Sequence, residues 1–562
     1  GLGIALNVVK QYGEQTTQDN LLKAYLKNAA EHFGAIAAPK GLVPFTGALN
    51  IDRYLLWPEL DERKLENIRA DEDKQVELNE TPKRYPARDL LIRPLSERLF
   101  AVEGEAGVGK TTMAHAIMHF AAAESLKLLG GEDSELAVLY LPLYFNADDL
   151  IKLAEDAPLG SVEIPNAGVL DGLLGSLVRK AEGAPNRALL VIVDGLDEVG
   201  EPVQTKALQR LRGLWTEEGN HRYLVLGRPG SVRGIPWVQG DEGVLKLALR
   251  PWDKAEVVTF IERWSVTNDD KNLLLTNEEM EKLIDYFASY IGLPTTALMV
   301  QMVIARYLVL RRRYPEDPVA HMPQTRSKLY QNYLRQLLEF GENAKPKSNK
   351  GGTALDVDPQ TRTWLGCLEL LLKQNDYLHK TVRATCSSDE LPDVAREAIF
   401  GHSCVSLTDG ISGAEKWWEE RKLCRLGHES LHEFLAAEAL AKLYNNKPEA
   451  FWEDWIHPYI FNMQWQQTLL FALTLIQKER QVSLIRNLLQ LGESDPISIN
   501  TKRHLEVVAK AWGWGASYEP QLWQDWLNQN PSIELLTIVA VNAELRNLAI
   551  SILEKLALGE VQ

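Results

Sequence analysis

The chain has 562 residues, enough for about four domains of ordinary size, and 45% of the residues are hydrophobic. Its formal net charge of −16 at pH 7 argues against nonspecific binding to nucleic acid or to an anionic membrane, because both would repel the chain. Four cysteines exclude a disulfide-stapled scaffold and fit a reducing cytoplasm. No apolar run approaches the roughly 18 residues of a membrane span. We therefore expect a cytoplasmic, multidomain protein.

The order of predicted elements divides the chain. Residues 1–95 are mostly polar with helical patches, which predicts an N-terminal helical lead-in or linker. From 96 to 250, β-branched runs alternate with helical stretches, so we expect parallel strands joined by helices. The predicted strands are Arg98–Glu103, Leu136–Tyr144, Leu189–Val193, Tyr223–Leu226 and Val244–Leu249. After Pro251, helical periodicity dominates to the end of the chain.

A glycine-rich motif follows the first of these strands. Residues 104–112 are GEAGVGKTT, which matches the pattern GxxxxGK[ST]. Such loops surround phosphate oxygens with backbone N–H groups, and the helix that follows adds its positive N-terminal dipole. The predicted phosphate-binding residues are Gly104, Gly107, Gly109, Lys110, Thr111 and Thr112. Within this set we expect Lys110 to reach the β- and γ-phosphates and the Thr111 hydroxyl to ligate Mg²⁺.

An acidic cluster follows a fully apolar strand. The run ALLVIV at 188–193 leads into Asp194, at the end of a strand where the nucleotide crevice of an open α/β sheet lies. We expect Asp194 to hold Mg²⁺ through water, and Asp197 or Glu198 to orient or deprotonate the attacking water. A helix N-cap at either Asp is the alternative. The next strand ends in Arg228, which either reaches the γ-phosphate or lies in a solvated loop.

Together these motifs resemble the NACHT family, within the STAND class of signal-transducing P-loop NTPases. The resemblance rests on the phosphate loop, on DGLDE at 194–198 and on the Arg-Pro that ends the next strand. Further along, Gly292-Leu293-Pro294 resembles the GxP turn of the family's helical domain. TRSKLY at 325–330 is similar to the beginning of its winged-helix domain, and the stretch from His428 to Ala437 is similar to the helix that closes that domain.

The resemblance implies a fold and two further nucleotide contacts. The implied domains are an α/β P-loop NTPase domain with a parallel sheet (96–250), an all-α helical domain (251–324), a winged-helix domain (325–442) and a HEAT-like helical domain (443–562). It also implies that Pro294 packs against adenine and that His428 contacts the β-phosphate of ADP. A histidine that faces the core is the alternative for His428.

The function that the resemblance implies is a switch with slow ATP hydrolysis. ADP would hold a closed monomer, an activating ligand would open it, and ATP would then replace ADP as protomers assemble into a homo-oligomer. Each nucleotide must favour one of two packings for this to work. The implied role is innate-immune or anti-phage defence, with a pathogen protein as one candidate ligand and an effector domain ahead of residue 1. An AAA+-like motor or loader is the alternative.

Overall fold

The structure is a computed structural model, and it describes part of the chain. The described residues are 18–36, 49–50, 55–62, 83–92, 98–105, 107–146, 149, 187–199, 201–212, 221–228, 244–267, 275–291, 295–333, 386–387, 405–406, 423–426, 430, 433–434, 436–438, 440–441, 465–477 and 480–481. Two residues of the predicted site, Pro294 and His428, lie outside this part, as do most residues of the predicted C-terminal domain.

The first half of the described chain is built on a mixed seven-stranded sheet. The seven strands of this sheet are β3 (Glu59–Glu62), β4 (Arg84–Pro86), β5 (Leu99–Glu103), β6 (Leu139–Phe145), β7 (Arg187–Val193), β8 (Arg222–Gly227) and β9 (Val244–Leu249), and they follow β1 (Ala35–Ile36) and β2 (Leu49–Asn50) in the chain. Five of them are parallel, in the order β9-β5-β8-β7-β6. Strand β3 pairs antiparallel with β9 and β4 pairs antiparallel with β3, while β1 and β2 form a separate pair.

The five parallel strands are those that the sequence predicts. Their ends differ from the predicted ends by at most three residues, and β5 and β6 are buried along their whole length. Strands β3 and β4 were not predicted and lie within 1–95, so the sheet extends ahead of the predicted domain start at 96. They escaped prediction because they are short and polar: β4 is the edge strand, and Leu60 is the one fully buried residue of β3.

Helices join the strands and continue after the sheet. They are α1 (Gln18–Phe33), α2 (Asp89–Ile92), α3 (Lys110–Gly130), α4 (Glu201–Arg212), α5 (Lys254–Thr267), α6 (Asn277–Tyr286) and α7 (Ala297–Arg313), with a π-helical turn at Phe287–Ile291 and 3₁₀ turns at Leu196–Glu198 and Val319–His321. A capping box between Thr276 and Glu279 begins α6. In the described part of the chain, no helix combines the length and the apolarity that crossing a membrane requires.

Helix α1 packs on α3 and β6 and completes their core. The Tyr25 hydroxyl donates to the backbone carbonyl of Pro142 in β6. At the end of α1, the ring of Phe33 lies 5.1 Å from that of His115 and 5.5 Å from that of Tyr144. Burial, with a smaller effect of His32, lowers the pKa of His115 to about 4. This histidine is therefore a neutral member of an aromatic cluster.

A second group of elements shares an aromatic core in the later part of the chain. It comprises the helical residues 326–333, the helical residues described between 430 and 441 (called segment 430–441 below) and α8 (Gln466–Leu475). The rings of Tyr330, Phe434 and Phe471 contact one another with centroid distances of 4.7 to 5.6 Å. Three short antiparallel strands, β10 (Cys386–Ser387), β11 (Val405–Ser406) and β12 (Leu423–Leu426), lie between these helices in sequence.

The lowered pKa of His115 predicts a specific dependence of stability on pH. Between pH 6.5 and about pH 4, His115 is protonated in the unfolded chain but neutral in the folded chain. The free energy of unfolding therefore falls as the pH drops through this window. We expect His115→Phe to remove up to about 3 kcal/mol of that fall. Denaturant unfolding at several pH values measures it. Parallel curves for the two proteins would show that His115 is not buried as described.

Candidate nucleotide-binding site

The phosphate loop connects β5 to α3 in the backbone conformation that its glycines permit. Gly107 and Gly109 have φ values of 74° and 111°, in the left-handed backbone region that residues other than glycine rarely adopt. A Cβ added to Gly109 would meet nothing within 4 Å, so open space lies beside the loop at this point. The Lys110 ammonium donates to the carbonyl oxygens of Gly104 at 2.7 Å and Glu105 at 3.1 Å. The loop thus places the Lys110 ammonium near open space, and phosphate binding requires both.

The order of the strands determines what faces the loop. Strand β8 lies between β5 and β7, so the residues that follow β8 come between the phosphate loop and the acidic end of β7. The N–H of Gly104 donates to the carbonyl oxygen of Gly227 at 3.0 Å, which joins the start of the loop to the end of β8. Arg228 is the next residue. The structure therefore brings together the loop, Asp194 and Arg228, as the sequence analysis expected.

Asp194 is buried at the end of β7 and has two hydroxyl partners. Its side chain accepts a hydrogen bond from the Tyr144 hydroxyl at 2.9 Å and another from Thr111. Burial raises the pKa of Asp194 above its ordinary value, against these hydrogen bonds and the positive charge of Lys110. The two predicted Mg²⁺ ligands, Thr111 and Asp194, are thus in contact, and both offer the oxygen atoms that Mg²⁺ prefers. Their role as ligands remains a prediction.

Asp197 and Arg228 form a buried ion pair. The Nε of Arg228 lies 3.0 Å from Oδ2 of Asp197, and the backbone N–H of Arg228 donates to Oδ1 at 3.1 Å. The two side chains are 10% and 8% exposed, so the solvated-loop alternative for Arg228 is wrong. Asp197 lies on the 3₁₀ turn after β7, and its carboxylate faces Arg228. The side chain of Glu198 lies outside the described part of the chain.

A second carboxylate holds the same guanidinium, and it comes from the far end of the described chain. Oε1 of Glu433, in segment 430–441, lies 2.7 Å from Nη1 of Arg228, and the Glu433 side chain is fully buried. Removing one partner of a buried ion pair typically costs about 3–5 kcal/mol. Neither Glu433 nor Tyr144 was predicted as a site residue from the sequence. The available signal for Glu433 was its place in the stretch His428–Ala437, directly before Phe434.

The helical region also contacts the phosphate loop. The backbone N–H of Leu298, in the first turn of α7, donates to the carbonyl oxygen of Gly107 at 3.4 Å. A Cβ on Gly107 would come within 3.3 Å of the Leu298 side chain, so glycine permits this close approach. Just before α7, Thr295 exchanges two backbone hydrogen bonds with Trp252, at 2.7 and 2.9 Å. These bonds anchor the chain directly after the predicted GxP turn.

A phosphate loop between a parallel strand and a helix, with a buried Asp at the end of a nearby strand, defines the α/β P-loop NTPase class. The residues present fit a nucleotide and Mg²⁺: the loop and Lys110 would hold phosphates, while Thr111 and Asp194 would hold the metal. Bound Mg²⁺ would neutralise charge on the phosphate oxygens. Within this site, Arg228 supplies a second cation, whose Nε and Nη1 are directed to the carboxylates of Asp197 and Glu433.

Comparison with known proteins adds resemblances of fold only. No protein-family model matches the chain, and no curated protein matches it. One similar solved structure is a STAND (signal transduction ATPase with numerous domains) protein with a tetratricopeptide repeat sensor, from Pyrococcus horikoshii. It shows 12% identity and a TM-score of 0.26, and the match covers 83% of this chain and 57% of that protein.

A second similar structure is the ORC1 protein of Aeropyrum pernix in complex with DNA. The identity is 14% and the TM-score is 0.28, over 64% of this chain and 87% of that protein. The chain thus spans little more than half the length of the STAND protein and most of ORC1. Neither TM-score is high enough to carry an argument, so the class rests on the sheet order and the site itself.

The hydrogen bond between Tyr144 and Asp194 predicts a defect in the binding of Mg²⁺-nucleotide. Tyr144→Phe leaves the buried carboxylate without one donor, and loss of such an orienting partner typically weakens metal affinity about 10- to 100-fold. Calorimetric titration of nucleotide at several Mg²⁺ concentrations measures this effect. Tyr85→Phe is the matched control, because it removes a tyrosine–carboxylate hydrogen bond to Glu62 in strands β3 and β4. Equal Mg²⁺ dependence in both variants would contradict the prediction.

Proposed function

We propose that this chain is a nucleotide-dependent switch of the STAND type, in which bound ADP holds a closed arrangement and ATP favours an open one. The observation that carries the proposal is the Arg228–Glu433 ion pair, because it ties the nucleotide site to segment 430–441. A change in the phosphates at the site is thereby coupled to the docking of a distant helix. Coupling of this kind is what a switch requires.

The contacts of Asp197, the residue predicted to activate the attacking water, support slow turnover of ATP. Both oxygens of Asp197 accept hydrogen bonds or ion-pair contacts from Arg228, which is itself held by Glu433. An acid or base in rapid catalysis must be near the proton it moves in every cycle. In this arrangement the Asp197 carboxylate is paired with Arg228. Asp197 can act on the attacking water only after this buried ion pair breaks. We therefore favour a switch over a motor.

The finer parts of the proposal rest on the resemblance of the motifs to the NACHT family. These parts are self-assembly into an oligomer after activation, a role in innate immunity or anti-phage defence, an activating ligand and a cytoplasmic location. Pro294 and His428 are proposed to contact the adenine and the β-phosphate. An AAA+-like motor or loader is the competing function, and it differs in predicting rapid ATP turnover.

The first test is the identity of the bound nucleotide. We expect purified protein to carry ADP, identified by chromatography after acid extraction, and to hydrolyse ATP at less than about 1 s⁻¹. Lys110→Ala should abolish binding of both ADP and ATP in calorimetry, because it removes the cation of the phosphate loop. Lys127→Ala is the control, since Lys127 lies on the same helix and pairs with Glu124.

Two results would contradict the proposed function in different ways. Nucleotide-free protein that binds neither ADP nor ATP would exclude a nucleotide switch altogether. Fast, sustained turnover with no retained ADP would instead favour the motor. In either test the Lys127→Ala protein should behave like the unmodified chain.

A further inference from the structure

The Arg228 guanidinium contacts both the 3₁₀ turn after β7 and segment 430–441. Its Nε is directed to Asp197 and its Nη1 to Glu433, which lies 205 residues further along the chain. A guanidinium recognises carboxylates and phosphates through the same planar set of N–H donors. A phosphate that approached Arg228 would therefore compete with the Glu433 carboxylate for the donors that the carboxylate now occupies.

Glu433 lies in a closely packed part of the described chain. The adjacent residue, Phe434, is fully buried, and its ring lies 5.6 Å from Tyr330 and 5.2 Å from Phe471. The Glu433 side chain is itself fully buried. Moving the backbone of Glu433 away from Arg228 therefore displaces segment 430–441, together with the helices that share its aromatic core.

We infer that Glu433 makes the closed arrangement selective for a nucleoside diphosphate over a nucleoside triphosphate. A diphosphate leaves the Glu433–Arg228 pair intact. A third phosphate either takes Arg228 from Glu433, which leaves a carboxylate buried without its cation, or lies close to that negative charge; both are unfavourable. Because binding couplings are reciprocal, a triphosphate must weaken the docking of segment 430–441 to the same extent. The inference rests on the proposed function, since it assumes that the site binds both nucleotides.

Removing the charge of Glu433 while keeping the shape of its side chain tests this role. In the full chain, Glu433→Gln should improve affinity for a non-hydrolysable ATP analogue relative to ADP by about tenfold, within the usual range of coupling between sites. Calorimetry with saturating Mg²⁺ measures both affinities. Glu433→Asp retains the negative charge and should retain the preference for ADP. Glu438→Gln is the matched control, because it removes a carboxylate of the same segment that contacts Gln331 instead.

The outcomes separate the inference from the proposed function. Unmodified protein that binds neither nucleotide would overturn the proposed function. Unmodified protein that binds both, with an unchanged ratio of affinities in Glu433→Gln, would overturn the inference alone. An equal change in the Gln and Asp variants would also overturn it, because lost packing and not lost charge would then be the cause.

A measurement on the unmodified chain keeps the inference testable even if Glu433→Gln fails to fold. Amide hydrogen exchange in residues 430–441 is compared between the ADP-bound protein and the protein bound to the non-hydrolysable ATP analogue. We expect faster exchange with the triphosphate, since it competes for Arg228 and loosens the segment. Equal exchange with both nucleotides would show that the third phosphate does not disturb the Glu433–Arg228 pair, and would overturn the inference.

Discussion

A buried guanidinium links the nucleotide-binding region of the described structure to segment 430–441. Arg228 lies between Asp197, on the 3₁₀ turn after β7, and Glu433, in segment 430–441, and all three side chains are nearly or fully buried. Charges in such a place are tolerated only when they are paired. Loss of either contact would leave a buried charge without its partner, so the docking of segment 430–441 beside the site depends on this arginine.

The order of the strands places the Arg228 guanidinium at the predicted nucleotide site. Insertion of β8 between β5 and β7 sets Arg228 beside the phosphate loop and Asp194, although the three positions are far apart in sequence. The hydrogen bond from Gly104 to Gly227 fixes the start of the loop to the strand that carries Arg228. The phosphate loop, the acidic strand end and the arginine thus form one site because parallel strands end at the same edge.

Other parts of the chain reach the same site from outside the predicted nucleotide domain. Helix α1 supplies Phe33, which packs against Tyr144, and the Tyr144 hydroxyl in turn orients Asp194. Helix α7 brings Leu298 against Gly107 of the loop. The regions before and after the sheet are therefore in physical contact with groups that would respond to phosphate and metal. That arrangement suits a protein whose nucleotide state is read by neighbouring elements.

The local pattern of the sequence was enough to determine the phosphate loop, the five parallel strands and the acidic end of β7, because each depends on neighbouring residues and on strand or turn chemistry. It missed β3 and β4, whose few polar residues become strands only because β3 pairs with β9 and β4 pairs with β3. Only the tertiary structure decided the partner of Arg228. An ion pair between residues 205 positions apart depends on chain topology and burial, and neither leaves a periodic signal in the sequence.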